Sequence, residues 1–268
     1  MTFQKIVPFG NTGLEVCRIG ISAGYGLDAS GVEEAVDHGA NYLFFGSMRR
    51  PSFGEGIKRV VKKGRDKVII VLQTYWRGLP RLQTWDIERG LCSLGLDYAD
   101  VMLMGWFNSP PGQRLIDEAL KLKEAGKIKL LGISTHNRKS VPPMAKSGVF
   151  DLFHIRYNAA HRGAEQDIFP HVDPVSGPGM VAFTATRWGQ LLNPKKMPPG
   201  EAPLRAADAY RFCLSNPHIH TITTGPKNRA QLQEALSALE KGPLDHEEMA
   251  RVKMIGDYLY RKKSVFGI

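Results

Sequence analysis

Two tyrosines, Tyr25 and Tyr75, fall just beyond short apolar runs and are the side chains best placed by sequence to give a proton to a reacting group. A cation beside either one would lower its pKa, and Arg49 and Arg77 stand at comparable positions after neighbouring runs. His136 and His161 are further acid–base candidates; the competing reading of each tyrosine and histidine is a loop side chain held by packing or hydrogen bonds. Residues 156–162 (RYNAAHR) crowd Arg156, Asn158, His161 and Arg162 into one stretch, more polar groups than packing alone explains. Arginine forks of this kind grip carboxylates and phosphates, and Trp106 offers a face for a planar group. Arg77, Trp106, Arg156 and Asn158 are therefore the expected substrate-binding residues, and the expected partner is a small, anionic molecule. The histidines show no metal-ligand spacing, and no Gly-x-Ser-x-Gly turn follows an apolar run, so neither a metal site nor a serine hydrolase is expected.

These residues can act together only if the chain gathers its strand ends. Eight near-continuous apolar runs (18–22, 41–45, 68–72, 101–104, 129–134, 152–155, 180–183 and 219–223) read as parallel strands covered on both faces. Amphipathic segments lie between and after them at 30–38, 85–94, 113–125, 203–214, 229–239 and 245–260. Ser30 with Glu33 three residues on reads as a capping box, and Gly126 as a helix stop. Strand–helix alternation repeated eight times predicts an α/β fold, a (β/α)8 TIM barrel, whose ligands meet the loops at the C-terminal strand ends. The rival, an open doubly wound sheet, wants a glycine fingerprint that Gly20, Gly24 and Gly26 do not form. Residues 3–17 read as a β-hairpin around Gly10-Asn11-Thr12-Gly13 that closes the barrel floor, 245–260 as an extra C-terminal helix, and 173–203 as a Pro/Gly-rich rim loop.

Composition sets the outer bounds. The chain has 268 residues, 43% of them hydrophobic, which suffices for one barrel domain spanning residues 1–268 and excludes a disordered chain. The formal net charge of +10 permits a polyanion partner, but the cations at 58–65 and 121–129 lie at helical spacing among apolar residues, as on a solvated helix face; no nucleic acid is expected. No run approaches a membrane span and no secretory signal opens the chain. Three scattered cysteines, Cys17, Cys92 and Cys213, fit reduced thiols in a cytoplasm.

Five phrases in order carry a family likeness: FGNTGLEV from Phe9, AVDHGANY from Ala35, LGLDYAD from Leu94, GKIKLLGIS from Gly126 and RYN from Arg156. Each lands on a predicted strand or hairpin, and together the chain resembles the aldo-keto reductase superfamily across nearly its whole length. The resemblance implies a barrel that binds NADPH across its mouth and reduces carbonyls with an Asp, a Tyr, a Lys and a His. In this chain the positions that match those four are occupied by Phe44, Arg49 or a neighbour, Gln73 and Gly105. The resemblance thus implies a non-standard proton donor, with Tyr25, Tyr75, Arg49 and His136 as the catalytic candidates. For the NADP(H) cofactor it implies Ser134, Thr135 and His154 at the carboxamide, Phe183 stacked on the nicotinamide, and Arg187 nearby. It further implies a phosphate turn at a helix start, built from Gly225, Lys227, Arg229 and Gln231, where backbone N–H groups and cations favour an anion. Three functions stay open: a divergent reductase, a nicotinamide-binding sensor without turnover, and a barrel isomerase or lyase acting on an anionic substrate.

Overall fold

The computed structural model describes residues 2–46 and 49–265. Two short strands, β1 (Ile6–Pro8) and β2 (Glu15–Cys17), pair antiparallel with Val7 opposite Val16. They form the expected hairpin, which carries Phe9 and Val16, both fully buried, into the barrel floor, where the Phe9 ring meets Tyr42 edge-on at 5.8 Å. Gly179 is needed there, because a Cβ at that position would lie 2.5 Å from the Phe9 ring.

Eight parallel strands close the barrel: β3 (Ile19–Ser22), β4 (Tyr42–Gly46), β5 (Ile69–Thr74), β6 (Ala99–Met104), β7 (Ile128–Thr135), β8 (Leu152–Arg156), β9 (Gly179–Phe183) and β10 (Thr221–Thr224). Pairing of Ile222 with Ile19 closes the ring. Every predicted strand is present, and no boundary moves by more than two residues. Two-residue periodicity divides each strand: Tyr42, Val71, Val101, Leu103, Leu152 and Val181 fill the interior, while their neighbours pack outward under the helices.

The helices are α1 (Ala29–Asp37), α2 (Pro51–Lys63), α3 (Pro80–Leu94), α4 (Gln113–Glu124), α5 (Val141–Lys146), α6 (Ala164–Asp167), α7 (Ala206–Leu214), α8 (Arg229–Lys241) and α9 (His246–Val265). Three expectations are corrected. The cap of α1 is Asp28, whose carboxylate accepts from Gly31 N–H at 2.9 Å, and Ser30 lies inside the first turn. Helix α3 starts at Pro80 instead of residue 85, because proline is well suited to a first helical position. The Pro/Gly-rich segment 173–203 is not a single loop: β9 divides it, and the rim loop runs over 184–205 with two 3-10 turns.

The basic stretches lie on helix faces and at strand edges among carboxylates. Arg59 and Lys63 reach Glu33, at 3.3 and 3.1 Å, and Lys123 reaches Asp151 at 2.7 Å. Among the described residues no helix is long and apolar enough to cross a membrane, and no group of three potential metal ligands occurs.

Candidate active site

A cavity of about 1000 Å³ opens at the C-terminal ends of the strands, where a (β/α)8 barrel gathers its loops. Its floor is made by inward positions near the tops of the strands: Phe44 of β4, Gln73 of β5, Ser134 of β7 and His154 of β8. His154 is buried, and burial pulls its pKa down to about 3, so the imidazole is neutral. Its Nε2 lies 2.7 Å from the Tyr42 hydroxyl, one interior layer below, and the Phe44 ring tilts against it at 5.6 Å. Burial holds Tyr42 well above its ordinary pKa, so this pair is a neutral hydrogen bond beneath an uncharged floor.

Tyr75 follows β5 and is half exposed into the cavity. Its ring lies where a side chain of residue 105 would stand: a Cβ on Gly105 would fall 2.5 Å from the ring. Beyond Gly105, Trp106 takes a left-handed φ of 57°. Arg77 donates to the Trp106 carbonyl at 3.1 Å and lies over its indole, 5.6 Å from the ring centre. The indole meets His136 edge-on at 5.9 Å, and His136 meets Phe183 edge-on at 5.3 Å. Arg77, Trp106, His136 and Phe183 thus form one continuous wall. Burial and the charge of Arg156 hold the His136 pKa below its ordinary value. Tyr25, across the mouth, rests its ring on Gly225, whose lack of a side chain makes that approach feasible.

The far end of the cavity is lined by Gly225, Pro226, Lys227, Gln231 and Glu234, where β10 turns into α8. Asn228 caps this helix by accepting from Gln231 N–H at 3.0 Å, and the Gln231 side chain accepts from Lys227 N–H at 2.9 Å. These bonds fix the turn and leave the backbone N–H groups of the first helical residues for an anion.

The structure therefore brings Tyr25, Tyr75, Arg77, Trp106, Ser134, His136, His154, Phe183, Gly225, Lys227 and Gln231 to one cavity. The other sequence candidates stand outside its lining. Arg49 is turned toward α3, where it donates to Asp86 at 2.8 Å. Thr135 is buried and its hydroxyl accepts from Asn137 N–H at 3.0 Å, shaping the turn after β7. Asn158 ties two strand ends together: its amide donates to Thr184 O at 2.9 Å, and its side-chain oxygen accepts from Ala160 and His161 N–H. Arg229 reaches outward to Glu34 at 3.2 Å. Arg156 is the last residue of β8, and Arg187 is buried in the loop that follows β9. Sequence reasoning missed Tyr42, Tyr210 and Glu234. Tyr42 alone had a usable signal, since it precedes Phe44 by two residues on the same strand face.

The fold that carries this cavity is that of solved aldo-keto reductases. An aldo-keto reductase from Bacillus halodurans in its holo form superposes with a TM-score of 0.77 at 19% identity, over 94% of this chain and 96% of that one. One from Klebsiella pneumoniae in complex with NADPH gives a TM-score of 0.77 at 20% identity, over 96% of each chain. Among curated proteins, the NADH-specific methylglyoxal reductase of Escherichia coli (strain K12) is 26% identical over 89 residues, 32% of this chain and 27% of that protein. The match thus spans about a quarter of that relative's length. No family model matches the chain.

Proposed function

We propose that this chain is a divergent aldo-keto reductase that binds NADP(H) and reduces the carbonyl group of a small molecule, with Tyr75 as the proton donor. The observation that carries the reading is the Tyr75 ring lying across Gly105, which places a phenol in the cavity at the strand end where the family resemblance implies a histidine. A dinucleotide fits the residues present: the cavity runs from the aromatic wall at Phe183 to the capped start of α8. Phe183 would stack on the nicotinamide, Ser134 and His154 would hold its carboxamide, and Gly225, Lys227 and Gln231 would hold the adenosine phosphates. The bound cofactor supplies the hydride. Tyr75 Oη gives its proton to the carbonyl oxygen, while Trp106 and His136 hold the substrate against the wall and exclude water. His154, kept neutral and oriented by Tyr42, is a hydrogen-bonding group and not an acid.

A second reading, a nicotinamide-binding sensor without turnover, is favoured by the uncharged floor, where Phe44 and Gln73 stand at the positions implied for an Asp and a Lys. One experiment separates the two. NADPH fluorescence is titrated against the protein, and cofactor oxidation is followed over a panel of aldehydes, ketones and quinones. Quenching with turnover, and a loss of about 100-fold or more in kcat for Tyr75→Phe with NADPH affinity kept, is the expected result. Quenching without turnover selects the sensor, and no quenching at ~100 μM NADPH, well within the usual range of cofactor and substrate affinities, sinks both readings.

A further inference from the structure

Three strand ends at the aromatic wall carry donors that the protein itself does not use. The register pairs Thr135 with Ile155 and Arg156 with Phe183, so His136, Arg156 and Phe183 stand side by side at the tops of β7, β8 and β9, with Thr184 the next residue on. Arg156 follows His154 by two residues, on the inward face of β8; it is half-buried and forms no ion pair among the described residues. Arg187 is 6% exposed, and its Nη1 is buried without a hydrogen-bond partner. Thr184 Oγ1 and His136 Nδ1 are likewise buried and unpartnered.

Other buried arginines of this chain have partners for their terminal nitrogens, although Arg18 Nε, Arg65 Nε and two nitrogens of Arg49 are also buried without one. Arg211 grips Glu248 through both terminal nitrogens at 2.7 and 2.6 Å, Arg65 meets Asp100 at 2.7 Å, and Arg18 donates to two carbonyls. Arg138, a cation close enough to act on Arg156, is engaged with Asp167 at 2.7 Å. Two uncompensated guanidiniums in a half-buried setting are costly unless an anion joins them. The strap that carries Arg187 is strained as well: Thr184, Arg187 and Trp188 have φ of 56°, 51° and 50°, a left-handed conformation that L side chains rarely adopt. Asn158 holds that strap from β8 through Thr184 O.

We propose that Arg156, Arg187, Thr184 and His136 form an oxyanion subsite beside the cavity that takes the carboxylate or phosphate of the substrate. Two guanidiniums, a hydroxyl and an imidazole with its proton on Nδ1 are all donors, which suits an oxyanion and no other common group. The anion site stands on its own geometry; assigning it to a substrate rests on the reductase reading.

The test has two arms. The protein without cofactor is titrated by calorimetry with inorganic phosphate and with succinate. Saturable binding is expected, weakened about tenfold in Arg156→Gln by the loss of one charge-assisted contact. Because the buried Arg187 is prone to misfolding when replaced, Arg156→Gln and Arg156→Lys carry the result, with Lys expected to retain part of the affinity. In the second arm, kcat/KM for 4-carboxybenzaldehyde is divided by that for 4-methylbenzaldehyde, and Arg156→Gln is expected to lower this ratio about tenfold through KM. Absence of anion binding overturns the subsite, whether or not the protein turns over. Weakened NADPH affinity in Arg156→Gln with the aldehyde ratio unchanged assigns the oxyanion to the cofactor and overturns the substrate assignment.

Discussion

At the residue scale, the missing side chain of Gly105 is as informative as any side chain present. Without a Cβ there, the Tyr75 ring crosses the end of β6 and reaches the cavity; with one, the ring meets it at 2.5 Å. Gly105→Ala is therefore expected to push Tyr75 aside and lower kcat about tenfold or more while leaving NADPH affinity in place, because the cofactor residues lie elsewhere in the cavity. Equal activity in the variant would show that the ring position is unrelated to chemistry. Arg49 makes the complementary point. It was a reasonable neighbour for a catalytic tyrosine by position, but its guanidinium is committed to Asp86, a partner 37 residues away that no local pattern reveals.

At the element scale, the start of α8 links folding and binding. Asn228 satisfies one of the free N–H groups of the helix, and the Lys227–Gln231 bond fixes the turn in front of it. Asn228→Ala is expected to cost about 1 kcal/mol of stability, as for other N-cap losses. It is also expected to weaken NADPH binding, since the turn that presents Gly225 and Lys227 loosens. A thermal melt with a cofactor titration checks both; a lower Tm with unchanged NADPH affinity would remove this turn from the binding site. The helix and its turn were legible in advance, because the Gly-Pro-Lys-Asn run precedes an apolar periodicity. The cap of α1 was not, because Asp28 and Ser30 are both good caps and only the backbone path decides which oxygen meets the free N–H.

At the scale of the whole molecule, the interior is closed below by the hairpin and polar above, and this makes the fold sensitive to acid. Burial lowers the pKa of His136, His154, His218 and His220, and that of His154 reaches about 3. An unfolded histidine takes up its proton near pH 6.5, whereas folded His154 refuses it until about pH 3. Stability is thus complete above about pH 6.5 and falls as the pH drops toward 3, by about 1.4 kcal/mol per pH unit at most for His154 alone. Urea denaturation at pH 7.5 and pH 5 is expected to show a lower midpoint at pH 5, and His154→Gln to narrow the gap; equal midpoints at both values would contradict it. The sequence by itself determined the barrel, its hairpin and the order of its strands, because continuous apolar runs and helical periodicity are local signals that survive in one dimension. It also marked the glycine-led turn at Gly225 and the aromatic position at Phe183. Only the tertiary structure decided that Tyr75 and Gly105 share one space, that His154 rests on Tyr42, and that Arg49 turns to Asp86 while Arg187 is buried. Those relations join residues brought together by barrel closure, where inward direction, strand register and burial, none of them a property of any short segment, select the partners.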